Sequence, residues 1–147
     1  MKPVMLAAVA IILMSVPGHS QSTSEKTGIN SLVGSAPSTQ DFVTLSASSD
    51  MFEIESSKLA INKTTDQTTK SFAEQMIKDH QKTSKELESL LATKVKIEKA
   101  PTTVAEDQQA MLDKLKELQG DDFAKQYRSD QEEVHENAVD LFKRYAE

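Results

Sequence analysis

The sequence predicts an all-α protein, an up-down antiparallel four-helix bundle. Three observations carry this expectation. The 147 residues include no tryptophan, four glycines and four prolines, and they are rich in Leu, Ala, Glu, Lys and Gln, a bias that favours helix. Apolar residues recur at threes and fours in four successive segments, each with charged residues on the opposite side. The connections between those segments are short, which sets sequential helices antiparallel.

The first twenty residues read as a sorting signal. Met1, Lys2 and Pro3 make a short positive start, and Val4 to Val16 is an apolar run too short to span a bilayer comfortably. "PGHSQS" follows, with Gly18 and Ser20 at small-residue positions. The expectation is a signal peptide over residues 1–20, cleaved after Ser20, with export from a bacterium to the periplasm or beyond and no transmembrane anchor once cleaved. Residues 21–38 are rich in Ser, Thr, Gly and Asn without helical or strand period and read as a flexible leader. Residues 39–147 form the helical domain.

Composition excludes several classes. The formal charge is −6. Loss of Lys2 with the signal would leave 16 basic against 23 acidic side chains. Such a balance argues against nucleic acid, which needs a basic face; the densest basic stretch, "KVKIEK", is a short connector. Zero cysteines exclude disulfides, thiolate metal sites, thiol nucleophiles and lipid anchoring through an N-terminal cysteine. No glycine-rich phosphate loop and no serine in a glycine elbow is present. The polar helix faces are net acidic, which does not suit a membrane surface.

The first helix opens at "PSTQD", where Ser38 and Asp41 have capping-box spacing. Its stripe is Phe42, Leu45, Ser49, Phe52, Ser56 and Leu59. The small residues of "SASSD" allow a neighbour to pack close. Thr64, Thr65 and Asp66 are cap candidates for the second helix, which runs to about Thr93, roughly 28 residues or about 42 Å. Its stripe is Phe72, Ala73, Met76, Ile77, His80, Ser84, Leu87 and Leu91. "KVKIEKAP" reads as a connector; Val95 and Ile97 alternate like a strand but have no partner strand. Thr103 and Glu106 suggest a second capping box. The third helix carries Val104, Gln108, Met111, Leu112, Leu115 and Leu118, and Gly120 stops it. Asp121 is the cap expected for the fourth helix, whose stripe is Phe123, Tyr127, Val134, Ala138, Leu141, Phe142 and Tyr145, with His135 adjacent.

"MFEIESSKLA", "FAEQMIKDH", "LDKLKELQGDDFAKQY" and "VHENAVDLF" occur in that order. Together they resemble the exported bacterial proteins called domain of unknown function 4142, over about Asp41 to Glu147. The resemblance implies a ferritin-like helical bundle and no established reaction. Its matching polar positions are Glu53, Asp79, His80 and His135. Two departures stand out. The family usually has an acidic residue where this chain has Val134. It also usually continues into a further helix ending in another histidine, where this chain ends at "KRYAE". A stripe left uncovered around His135 and Leu141 would favour self-association as a homodimer.

Two histidines on helix stripes are the chemistry worth testing. A di-iron bundle takes a Glu from each of two helices and Glu-x-x-His from each of the other two. Glu132 and His135 satisfy that motif once; three residues before His80 stands Ile77, so the second copy fails. The candidate metal set is Glu53, His80, Glu132 and His135, which suits a mononuclear site for zinc, copper or iron rather than a di-iron oxidase. The competing reading is structural: each imidazole is buried and bonded to a carboxylate or carbonyl across the bundle. Asp79 is expected to face water or hold a neighbouring side chain, and Met76 and Met111 to fill core. The functional expectation is therefore a periplasmic binding protein or envelope stress-related helper rather than an enzyme, with no cofactor. The alternatives are a divalent-metal-binding bundle and a self-associating structural module.

Overall fold

The computed structural model describes residues 34–94 and 100–147. The predicted signal peptide, most of the leader, and Val95 and Ile97 lie outside the described residues. Four helices follow in order: α1 (Thr39–Lys63), α2 (Gln67–Lys94), α3 (Glu106–Glu117) and α4 (Gly120–Ala146). Among the described residues there is no strand. No helix there is long and apolar enough to cross a membrane.

Cross-helix pairs give the topology. Ser57 meets Tyr127, Glu53 meets Gln131 and Thr39 meets Tyr145, so α4 runs antiparallel to α1. Asp50 bonds Ser84, and Ala60 packs in one cluster with Ala73, so α2 is antiparallel too. Ser48 bonds Gln108 while Lys63 bonds the Leu118 carbonyl, so α3 runs parallel to α1. The result is the up-down four-helix bundle expected from the short connections.

Helix α1 is the axis around which the others pack. It contacts all three, and its buried residues occur on nearly every side: Asp41, Val43, Thr44, Ser48, Asp50, Phe52, Glu53, Ser56, Ser57 and Ala60. This corrects the single stripe expected for it. Phe52 and Ser56 are buried as expected, whereas Phe42, Leu45, Ser49 and Leu59 are only half-buried. A helix covered on three sides has no single apolar face, and its small polar residues fill the spaces where neighbours come close.

The start of α1 matches its sequence signature, since Ser38 Oγ accepts the Asp41 backbone N–H at 3.0 Å. Asp66 caps α2, accepting the Thr69 N–H at 2.7 Å. The capping box expected at Thr103 and Glu106 does not form. Helix α3 begins at Glu106 after Ala105, which makes no side-chain cap. The Ala105 N–H instead donates to Ser48 Oγ on α1, so a tertiary bond replaces the local one. The expected Asp121 cap also gives way, because α4 starts at Gly120 after Gln119. Gly120 has φ 55°, left-handed backbone that only glycine adopts at little cost, and it turns the chain between α3 and α4. The end of α3 is closed by Lys63, whose Nζ donates to the carbonyls of Leu115 and Leu118 at 3.1 and 2.8 Å. A cation there satisfies carbonyls that lack helical partners.

The core has two clusters. Ala60, Ala73, Leu115, Phe123 and Tyr127 form one, and Phe52, Leu112 and Val134 the other. Both lie beside α3. That helix has 12 residues against 25 to 28 in the others, so the first half of α1 lacks its cover. There the C-terminal halves of α2 and α4 line an open cleft instead of closing a core. Leu87 and Leu91 are consequently half-buried, and Leu90, Val139 and Phe142 exposed. Phe72, placed on the α2 stripe, is also 45% exposed, its ring centre 6.3 Å from that of Tyr127 in an edge-to-face arrangement.

A candidate metal centre

Halfway along the bundle, polar side chains replace the apolar core. Asp50 and Glu53 stand three residues apart on α1 and therefore share a face. His80 reaches them from α2, and Gln131 and His135 from α4. One ligand atom from each of Glu53, His80 and His135 lies within 4.8 Å of the others. The two imidazole ring centres are 6.1 Å apart, nearly perpendicular. His135 Nδ1 is 3.5 Å from Glu53 Oε1.

The surrounding hydrogen bonds determine which nitrogens are free. His80 Nδ1 is 2.7 Å from Asp50 Oδ1. Thr83 and Ser84 donate to the same carboxylate, leaving it an acceptor for the imidazole N–H. His135 Nδ1 is 2.7 Å from the Gln131 carbonyl, which can only accept. Both rings are thus held as Nδ1–H tautomers when neutral, with a lone pair on Nε2. Fixing a ligand's tautomer through its other nitrogen is how metal-binding histidines are ordinarily oriented.

Glu53 is completely buried. Gln131 Nε2 donates to its Oε2, but Oε1 has no hydrogen-bond partner. A buried carboxylate oxygen without a partner is costly, and a metal ion is one group that would satisfy it. Burial raises the Glu53 pKa above its ordinary value; the Gln131 hydrogen bond and the nearby imidazoles only partly oppose this. Burial also works against a charged His80. The hydrogen bond that His80 donates to Asp50 and the charges of Glu53 and Asp50 outweigh it, so His80 titrates above its ordinary value.

The sequence candidates divide three to one. Glu53, His80 and His135 meet, while Glu132 is exposed on α4 and is no part of that group. Helical phase explains the difference. His135 is itself at the edge of the buried face, its side chain 49% exposed. A step of three residues back turns Glu132 further outward, and a step of four brings Gln131 in. Asp50 and Gln131 were not singled out from the sequence. The Asp50-to-Glu53 spacing was the available signal, because a carboxylate pair on one helix face can reach one imidazole pair. Each ring bonds a carboxylate or carbonyl through Nδ1, as the structural reading expects, and His135 Nδ1 also stands 3.5 Å from Glu53 Oε1. Asp79 is exposed and accepts from Gln75 Nε2 at 2.8 Å.

An all-helical bundle with two imidazoles and a carboxylate converging from three helices is the class of structure these observations define. The family model described as "Domain of unknown function (DUF4142)" matches residues 24–147. The chain belongs to that family. Neither the curated proteins nor the solved structures yielded a match.

Proposed function

We propose that the protein is an exported, periplasmic binding protein whose ligand is one borderline divalent metal ion, held by Glu53, His80 and His135. The observation that carries this reading is the convergence of three ligand atoms within 4.8 Å, one of the residues being a buried glutamate with an unpartnered oxygen. Two imidazoles and one carboxylate suit zinc or ferrous iron better than calcium or magnesium, which prefer all-oxygen sites. Metal–ligand distances near 2 Å need the donors to draw in by about 1 Å, a movement of side-chain tips rather than helices. Asp50 and Gln131 orient the histidines from behind. Three protein ligands leave a coordination position for water or an exogenous ligand, and the half-exposed His135 gives the ion a way in. Export rests on the positive start and the apolar run from Val4 to Val16.

The test is titration of the metal-stripped mature chain with Zn²⁺ and with Co²⁺, whose visible spectrum reports the ligand field. One ion per chain is expected, with binding lost in His80→Ala and His135→Ala and retained in Glu132→Gln. Absence of bound metal, or affinity indifferent to both histidine substitutions, would overturn the proposal.

A further inference from the structure

The open end of the bundle holds a cleft of about 870 Å³, within the range of small-molecule sites. It adjoins the proposed metal centre, since Asp50 and His80 lie on its wall. Its apolar lining comes from every helix: Leu45 from α1, Leu87 from α2, Met111 from α3, and Val134, Ala138 and Leu141 from α4. The charged lining is one-sided. Among the described residues, Asp50, Glu86, Asp107, Glu133 and Asp140 face the cleft together with the guanidinium of Arg144, which already pairs with Asp140 at 2.8 Å. His80, the remaining titratable group on the wall, pairs with Asp50 at 2.7 Å. Glu86, Asp107 and Glu133 are exposed, so the acidic groups lie on the solvent side of an apolar interior, with Glu86 3.8 Å from Lys82 Nζ. Ser46 Oγ, also on the wall, is buried without a hydrogen-bond partner.

We propose that this cleft binds a cationic amphiphile, with an aliphatic or aromatic body between α2 and α4 and an ammonium or amidinium head against the carboxylates of Glu86, Asp107 and Glu133. An anionic amphiphile of the same length meets the same walls but a repelling rim. The charge of the head therefore discriminates between ligands, and the apolar walls supply the common affinity.

The test uses the mature chain freed of metal with a chelator, so that its result does not depend on the metal site. Dodecylamine, dodecanol and dodecanoate are titrated calorimetrically below their aggregation concentrations. The amine is expected to bind about tenfold more tightly than the carboxylate at low salt, with the gap shrinking at high salt. Ala138→Phe, which fills the cleft, should abolish binding of all three while leaving the helical circular dichroism intact. Asp107→Asn combined with Glu133→Gln should bring the amine down to the affinity of the alcohol. Equal or tighter binding of dodecanoate overturns the proposal, as does affinity that survives Ala138→Phe. A chain that takes up no amine and sediments as a dimer also overturns it, and identifies the occupant as a second copy.

Discussion

Replacing Glu53 by glutamine should move the stability of the metal-free and metal-bound protein in opposite directions. Glu53 is fully buried, with one oxygen unpartnered. Glutamine keeps the shape and removes the charge. Gln131 can accommodate it, because Oε1 of Gln131 also lacks a partner; rotating that amide by half a turn lets it accept from the new side-chain amide. Leaving a buried polar group unsatisfied costs about 1–3 kcal/mol. The neighbouring imidazoles offset part of this, so a gain near 1 kcal/mol is expected for metal-free Glu53→Gln. For a domain of this size that is roughly 4 °C in Tm. The sign with pH follows from the raised pKa of Glu53. A carboxyl that titrates higher in the native state contributes fully below its unfolded pKa, and that contribution is lost as pH rises through the folded value. The advantage of glutamine should thus be absent near pH 4 and greatest near pH 8. With zinc the order reverses. A ligand at one hundred times its Kd stabilises the wild type by about 2.7 kcal/mol, and the variant should lose most of that. Thermal melts with and without Zn²⁺ at several pH values make the comparison. A metal-free variant that melts lower than wild type at pH 8, or one whose zinc response is undiminished, refutes the reasoning.

Asp50→Asn should weaken metal binding by about 10- to 100-fold, because the carboxylate behind His80 orients and polarises it. An NMR titration should show the His80 pKa falling, and the stability loss should be greatest at low pH, shrinking as pH rises through the folded pKa of His80. Asp130 is buried, accepts from Gln126, and among the described residues its Oδ2 has no hydrogen-bond partner; burial raises its pKa. Asp130→Asn should therefore raise Tm at pH 8 and do little at pH 4, as differential scanning calorimetry would show. Tyr127 shares a buried hydrogen bond of 2.9 Å with Ser57, and burial pushes its phenol up to about 12. Tyr127→Phe should cost about 1–2 kcal/mol in urea melts, and ultraviolet titration should lose the transition near that pH.

How much was legible depends on what each feature rests on. The helices, the cap at Ser38, the extent of α2 and the up-down order follow from local rules of period, capping and connection length, which a linear sequence carries in full. The starts of α3 and α4 did not follow. At α3 the Ala105 N–H bonds Ser48, 57 residues away in sequence, and no local motif encodes such a partner. The central position of α1 was equally hidden, since a helix enclosed by three neighbours loses the one-sided pattern that marks a surface helix.

The sequence by itself determined the four helical segments, the acidic balance, the absence of thiol chemistry, and the places of His80 on its helix stripe and His135 beside its own. The tertiary structure decided which residues accompany them. It brought Glu53, Asp50 and Gln131 to the histidines, left Glu132 in solvent, and opened a cleft where α3 is too short to cover α1. Period fixes a residue's direction about its own helix axis, whereas the meeting of residues on different helices depends on the rotation and register of whole helices, and those are set only when the bundle packs.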